Sequence, residues 1–347
     1  MIKHNDKKEY RFLAYFSKKN AIIYIALYIP VYFRWIGDLM SKKNAFVKLG
    51  IFSALFGGAF AFSNYIYKIS TVPHQHTDDD KDFDEQITEG RHFVRNHPDR
   101  QDMFIDSIDQ LKLHASYIPA SENSHKYAIV IHGVWDNHES NGIYARHYLE
   151  KGINCLLPDL RGFGKSEGKY IGYGLDDRLD ILEWIYWIIK RDPEAKILLH
   201  GMSMGAATTL MTTGEHLPKN VKAAIADSAY ATLREQFAAT YKSFKGSFIP
   251  TPIALALSRI IIYLRAGYDI NDASPIKAVA KSETPTLFIH GDDDSFIDPH
   301  MCSRLYEAAS CPKQYCMILG AGHIEGVVKD PDNYWGKIAS FLAKTDF

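Results

Sequence analysis

The chain has 347 residues, 46% of them hydrophobic and 23% charged, and a formal net charge of −1. This length holds one large domain with an appendage, and the composition excludes a disordered chain. The balanced charge gives no footprint for nucleic acid, and the four cysteines (Cys155, Cys302, Cys311, Cys316) form neither a CxxC pair nor a dense disulfide framework.

Met1 to Asn20 is polar and basic, and two apolar segments follow. The first, residues 21–33, contains Pro30 and at about thirteen residues is short for a bilayer span. The second, residues 49–66, runs about eighteen residues without a formal charge, just enough to cross a hydrocarbon core. Arg34, Lys42, Lys43 and Lys48 precede it and Asp78, Asp79 and Asp80 follow the apolar stretch, so the positive-inside rule exports what comes after. The expected organisation is a basic N-terminus and membrane anchor over 1–70 with its main span at 49–66, then a polar acidic linker over 71–84. The catalytic domain at 85–347 is then extracytoplasmic, at the cell membrane. The segment 21–33 lies along the interface or spans as well; a cleaved signal sequence and a buried helical hairpin are the alternatives.

From residue 85 on, β-rich runs alternate with helical periodicity, as in a mainly parallel α/β sheet. Residues 103–108 and 111–118 flank the turn pair Asp109-Gln110 and read as an antiparallel ribbon. Further strands are expected at 127–131, 153–157, 197–199, 221–226, 286–289 and 315–319, with helices at 143–151, 176–190 and 331–342. Residues 230–282 break this rhythm. They are too long for one crossover, carry Phe237 and the apolar run 253–264, and are expected to form a helical cap over the strand ends. A helix pair packed on the sheet's face is the alternative.

Gly201-Met202-Ser203-Met204-Gly205 ends the run 196–200 and fits the Gly-x-Ser-x-Gly elbow, where a sharp strand-to-helix turn leaves no room for a Cβ on either side. A serine hydroxyl needs a base, and the base needs an orienting acid. His323 follows the last β-rich run in a glycine-flanked loop. Among Asp292, Asp293 and Asp294, the last is placed best for the acid; Asp293 is the runner-up, and Asp292 is expected to fix the turn. Met204 and Val134 are the expected oxyanion donors. Trp135, with Tyr230 and Phe237 of the cap, is expected to shape the substrate pocket.

The motifs His132-Gly133, Pro158-Asp159-Leu160-Arg161-Gly162-Phe163-Gly164-Lys165-Ser166, Gly201 to Gly205, His290 to Asp294 and Gly322-His323, in this order, resemble those of serine hydrolases of the α/β-hydrolase superfamily. The chain is most similar there to membrane-anchored bacterial members of the serine aminopeptidase-like and lysophospholipase-like branch. The resemblance covers residues 103–347 and implies an eight-stranded sheet with helices on both faces and a small cap. It also implies Ser203, Asp294 and His323 as a triad, with Val134 and Met204 as the oxyanion hole and no metal or organic cofactor. The expected reaction is ester cleavage through an acyl-enzyme on a small-molecule substrate. A short-peptide peptidase and a catalytically silent scaffold on the bilayer are the alternatives.

Overall fold

The computed structural model describes residues 45–74, 85–120, 124–243 and 249–347. The basic N-terminus, the segment 21–33 and most of the acidic linker lie outside the described residues. Helix α1 (Ala45–Thr71) covers the expected span at 49–66. Among the described residues no helix is long and apolar enough to cross a membrane, so the anchor gains no support from the structure. The end of α1 is instead tied to the domain that follows. Ile171 N–H donates to Thr71 O at 2.7 Å, and the Tyr173 hydroxyl donates to Ser70 O.

The strands are β1 (Gln101–Asp106), β2 (Lys112–Ile118), β3 (Lys126–Ile131), β4 (Asn154–Pro158), β5 (Lys196–Met202), β6 (Val221–Asp227), β7 (Thr286–Gly291) and β8 (Lys313–Ile318). They form one sheet in the order β1-β2-β4-β3-β5-β6-β7-β8. The first ribbon is antiparallel, β2 runs antiparallel to β4, and the other neighbours are parallel. The sequence dictates this difference. β1 alternates between exposed and half-buried positions, whereas β3, β5, β6 and β7 are buried almost throughout, as strands covered on both faces must be.

Helices cover both faces. Along β3, Tyr127, Ile129 and Ile131 face one hydrophobic core while Ala128 and Val130 face another, the period of two that a strand imposes. The first core takes in α4 (Asp177–Arg191), α5 (Met204–Thr213) and α9 (His300–Ala308). The second takes in α2 (Glu85–Asn96), α3 (Gly142–Glu150) and α10 (Pro331–Leu342). Between β6 and β7 lie α6 (Leu233–Ser243), α7 (Thr251–Ala266) and the short α8 (Pro275–Val279). Helix α7 packs on α1, α8 returns to α5, and Gln236 of α6 donates to Phe296 O at 2.9 Å in the loop after β7.

Arg161 explains part of the long motif after β4. Its guanidinium donates at 2.8 Å to both oxygens of Asp109 in the β1–β2 turn and also holds Asp180 of α4, so one buried side chain joins three segments.

Candidate active site

In a parallel sheet the loops after β3, β5, β7 and β8 all leave the same edge, where open α/β sheets place their sites. Ser203 stands between β5 and α5 at φ 54° and ψ −115°, a conformation an L-residue reaches only under constraint. The constraint is visible on both sides. A Cβ on Gly201 would lie 2.1 Å from Gly205 O, and one on Gly205 would lie 2.0 Å from Ile131 O. The serine backbone is fixed from below by its N–H, which donates to Asp227 O at 2.8 Å.

The Ser203 hydroxyl is 2.8 Å from His323 Nε2, and His323 Nδ1 is 2.8 Å from Asp294 Oδ2. With Nδ1–H donating to the carboxylate, Nε2 is the free lone pair that accepts from the serine. Asp294 is buried, which alone would raise its carboxyl. Hydrogen bonds from His290 and His323 win over that and hold it well below the usual carboxylate range. Its other oxygen accepts from Phe296 N–H and Ile297 N–H, both at 2.8 Å. Asp293 is exposed and offers its backbone N–H to Ala321 O, while Asp292 accepts from Gly320 N–H at 2.6 Å and so braces the turn.

The expected oxyanion donors stand next to the serine. Met204 opens α5, where first-turn amides have no partner within the helix. Val134 follows Gly133, and a Cβ on Gly133 would come within 3.5 Å of Ser203 Cβ. Two further residues around the serine have positive φ: Trp135 at 60° and the β-branched Ile324 at 55°, directly after His323. Ile324 N–H reaches the Ser228 hydroxyl at 3.3 Å.

A cavity of about 240 Å³ adjoins Ser203 and His323, and its lining is mostly apolar. Trp135, expected to shape the pocket, is in its lining, and so is Val134. Tyr230 and Phe237 do not. The Tyr230 hydroxyl donates to Tyr173 O at 2.6 Å in the core, and Phe237 packs edge-on against Tyr173. Their places in the cavity are taken by Ile87 of α2, Tyr144 of α3 and Phe296, whose ring meets the His323 ring edge-on at 5.0 Å. The apolar periodicity of 85–96 carries a hint of a packed helix, but nothing local marks Ile87 as facing the serine.

Two buried polar networks hold the surrounding loops. Asp159 accepts four hydrogen bonds: from His114 Nδ1 at 2.6 Å, His138 Nδ1 at 2.8 Å, His138 N–H at 2.8 Å and Lys165 N–H at 2.9 Å. His114, His138 and Asp159 have the residue types of a metal site, but both carboxylate oxygens already serve these donors. The cluster ties the loop after β4 to the turn that follows Trp135. Behind the elbow, Tyr148 donates to His200 Nδ1 at 2.8 Å, His200 Nε2 lies 3.2 Å from the Tyr334 hydroxyl, and Tyr334 donates to Asp227 Oδ2 at 2.9 Å. Burial raises the Asp227 carboxyl, so the chain ends on a group that water does not reach.

A family model described as alpha/beta hydrolase fold matches residues 129–262. Among curated proteins, the chain is 29% identical over 262 residues to the uncharacterized protein YqkD of Bacillus subtilis, covering 72% of this chain and 85% of that one. It is 25% identical over 204 residues to the uncharacterized membrane protein YNL320W of Saccharomyces cerevisiae, covering 58% and 64%. Among solved structures it superposes on the Pyrococcus furiosus esterase Pf2001 with a TM-score of 0.55 at 23% identity, over 79% of this chain and 97% of that one. With the strand order, the elbow and the family model agreeing from β3 to α7, the chain carries the α/β-hydrolase fold.

Proposed function

We propose that the protein is a serine hydrolase that cleaves carboxylic esters through Ser203, His323 and Asp294. The observation that carries this reading is the unbroken hydrogen-bond line from the Ser203 hydroxyl through His323 to Asp294, with each residue on a different loop of one sheet edge. The Pyrococcus furiosus neighbour is an esterase, which points the same way.

In the proposed reaction His323 Nε2 takes the serine proton as Ser203 Oγ attacks the ester carbonyl. The oxyanion settles on the Val134 and Met204 N–H groups. The imidazolium, stabilised by Asp294, gives its proton to the leaving alcohol, and water then repeats the sequence on the acyl-enzyme. Placement at the cell membrane, with the domain on the extracytoplasmic side, belongs to the same proposal and rests on the charge asymmetry around residues 49–66. Protease treatment of intact cells tests that part, since an internal domain stays protected.

A fluorophosphonate probe tests the chemistry. Ser203 is expected to be labelled, and Ser203→Ala to lose labelling together with about a millionfold of kcat on p-nitrophenyl esters. A Ser203→Ala protein that keeps its turnover would place the reaction elsewhere, and a wild-type protein inert to probe and esters would leave a binding scaffold.

A further inference from the structure

Helix α2 lies before the first strand, outside the stretch that the family model matches, yet it reaches the serine. Ile87 lines the cavity together with Ser203 and His323. The contact is built rather than incidental. Gly90 is buried against the start of α3, where a Cβ would lie 2.7 Å from Ile143 N, and a Cβ on Gly142 would lie 1.8 Å from Gly90 O. Glycine on both helices lets the two backbones touch. One turn further on, Val94 is fully buried in the core beneath the sheet.

Two ion pairs then fix α2 to the loop that carries the oxyanion donor. Arg91 Nη2 is 2.6 Å from Asp136 Oδ1, one residue after Trp135, and Arg95 grips Glu139 with Nε at 3.1 Å and Nη2 at 2.6 Å. Asp136 itself lines the cavity. A helix held at three points along its length makes a rigid wall, and rigidity is what lets a pocket reject a chain that is too long.

We infer that α2 closes the acyl end of the site and that Ile87 sets the length of acyl chain the protein accepts. The inference rests on the ester-hydrolase reading above and adds its substrate class. The cavity is a partly open cleft of about 240 Å³, larger than the roughly 150 Å³ that encloses a benzene ring, so it has room for an unbranched acyl chain of medium length and not only an acetyl group. The acyl side is the occupant because it stays bound through both half-reactions, whereas the alcohol must leave between them. Apolar walls stabilise the group that stays.

The test is an acyl-length series of p-nitrophenyl esters, from acetate to dodecanoate, on the wild type, Ile87→Ala and Ile87→Trp. The readout is the kcat/KM ratio of decanoate to butyrate. Ile87→Ala is expected to raise the ratio and Ile87→Trp to lower it, each by about tenfold, the scale of one or two methylenes in an apolar pocket. Ile87 is half-buried on its helix, so Ile87→Ala carries the test if the bulkier variant does not fold. Both variants holding the wild-type ratio, with Ser203 still labelled by the phosphonate, would overturn the inference and leave the hydrolase reading standing. A shift confined to a matched series of acetates of lengthening alcohols would overturn the acyl assignment. If the wild type takes neither probe nor ester, the hydrolase reading fails first and this inference falls with it.

Discussion

His290 and His323 meet on one atom. His290 Nε2 lies 2.9 Å from Asp294 Oδ2, the same oxygen that His323 Nδ1 reaches at 2.8 Å. His290 is fully buried on β7 and also faces Ile297 O at 3.1 Å, so it is a fixed donor rather than a mobile base. It helps keep the Asp294 carboxylate ionised against the penalty of burial.

Removing that donor is therefore expected to weaken Asp294 as the orienter of His323 without touching either directly. A hydrogen bond to a charged group contributes about 1.5–3 kcal/mol, so His290→Phe should cost roughly 10- to 100-fold in kcat/KM. His290→Asn, which keeps a side-chain N–H, should recover part of the loss. If His290→Asn recovers none of the kcat/KM lost in His290→Phe, the side-chain N–H is not what matters and His290 only packs.

The elbow glycines permit a prediction on stability. A methyl on Gly205 would lie 2.0 Å from Ile131 O, a backbone atom of the central strand β3 that cannot swing aside. Gly205→Ala is expected to cost about 3 kcal/mol or more by forcing the start of α5 away from β3, measured as a fall in the urea midpoint. A cost below about 1 kcal/mol would show that the turn has slack.

Asp159 gives a second stability test, with a link to the site. Asp159→Ala leaves two buried imidazoles and two backbone N–H groups without their acceptor, and about 3–5 kcal/mol is the usual cost of breaking such a buried charged network. Asp159→Asn keeps one acceptor oxygen and should lose less. Because His138 follows the oxyanion loop, both variants should also lower kcat more than they raise KM. Equal changes in the two would mean that the loop is held by other contacts.

Much of this was legible because the chemistry of the fold is local. The Gly201 to Gly205 pattern announces its own steric cause, and the runs that became β3 to β7 are buried almost throughout, so the sequence reads as strands wherever burial is nearly complete. Asp292 was set aside by its nearness to the strand end, but no local pattern separated Asp294 from Asp293; only the folded loop brings Asp294 Oδ2 within 2.8 Å of His323 Nδ1. Tyr230 and Phe237 misled for a physical reason: an aromatic residue in an insert has the same pattern whether it faces a ligand or another aromatic, and here Tyr173 is the partner. The place of Ile87 on the cavity was invisible because it depends on a contact between Gly90 and Gly142, fifty-two positions apart, that no periodicity encodes.

His200 yields a pH prediction. It is buried between Tyr148 and Tyr334, and burial pushes its imidazole down to about 3. In the unfolded chain the ring takes up a proton as the pH falls through about 6.5, while in the folded chain it stays neutral until about 3. Across that window the unfolded state binds the extra proton, so stability is complete above 6.5 and falls as the pH drops. One proton corresponds to about 1.4 kcal/mol per pH unit, or about 2 kcal/mol between pH 6.5 and 5. His132, lowered by the same cause, adds to the loss. Urea melts at pH 7, 6 and 5 should show this decline, and His200→Gln, which bonds both tyrosines but does not titrate, should flatten it by about one proton. Equal slopes in the two proteins would mean that the folded chain protonates His200 as easily as the unfolded one.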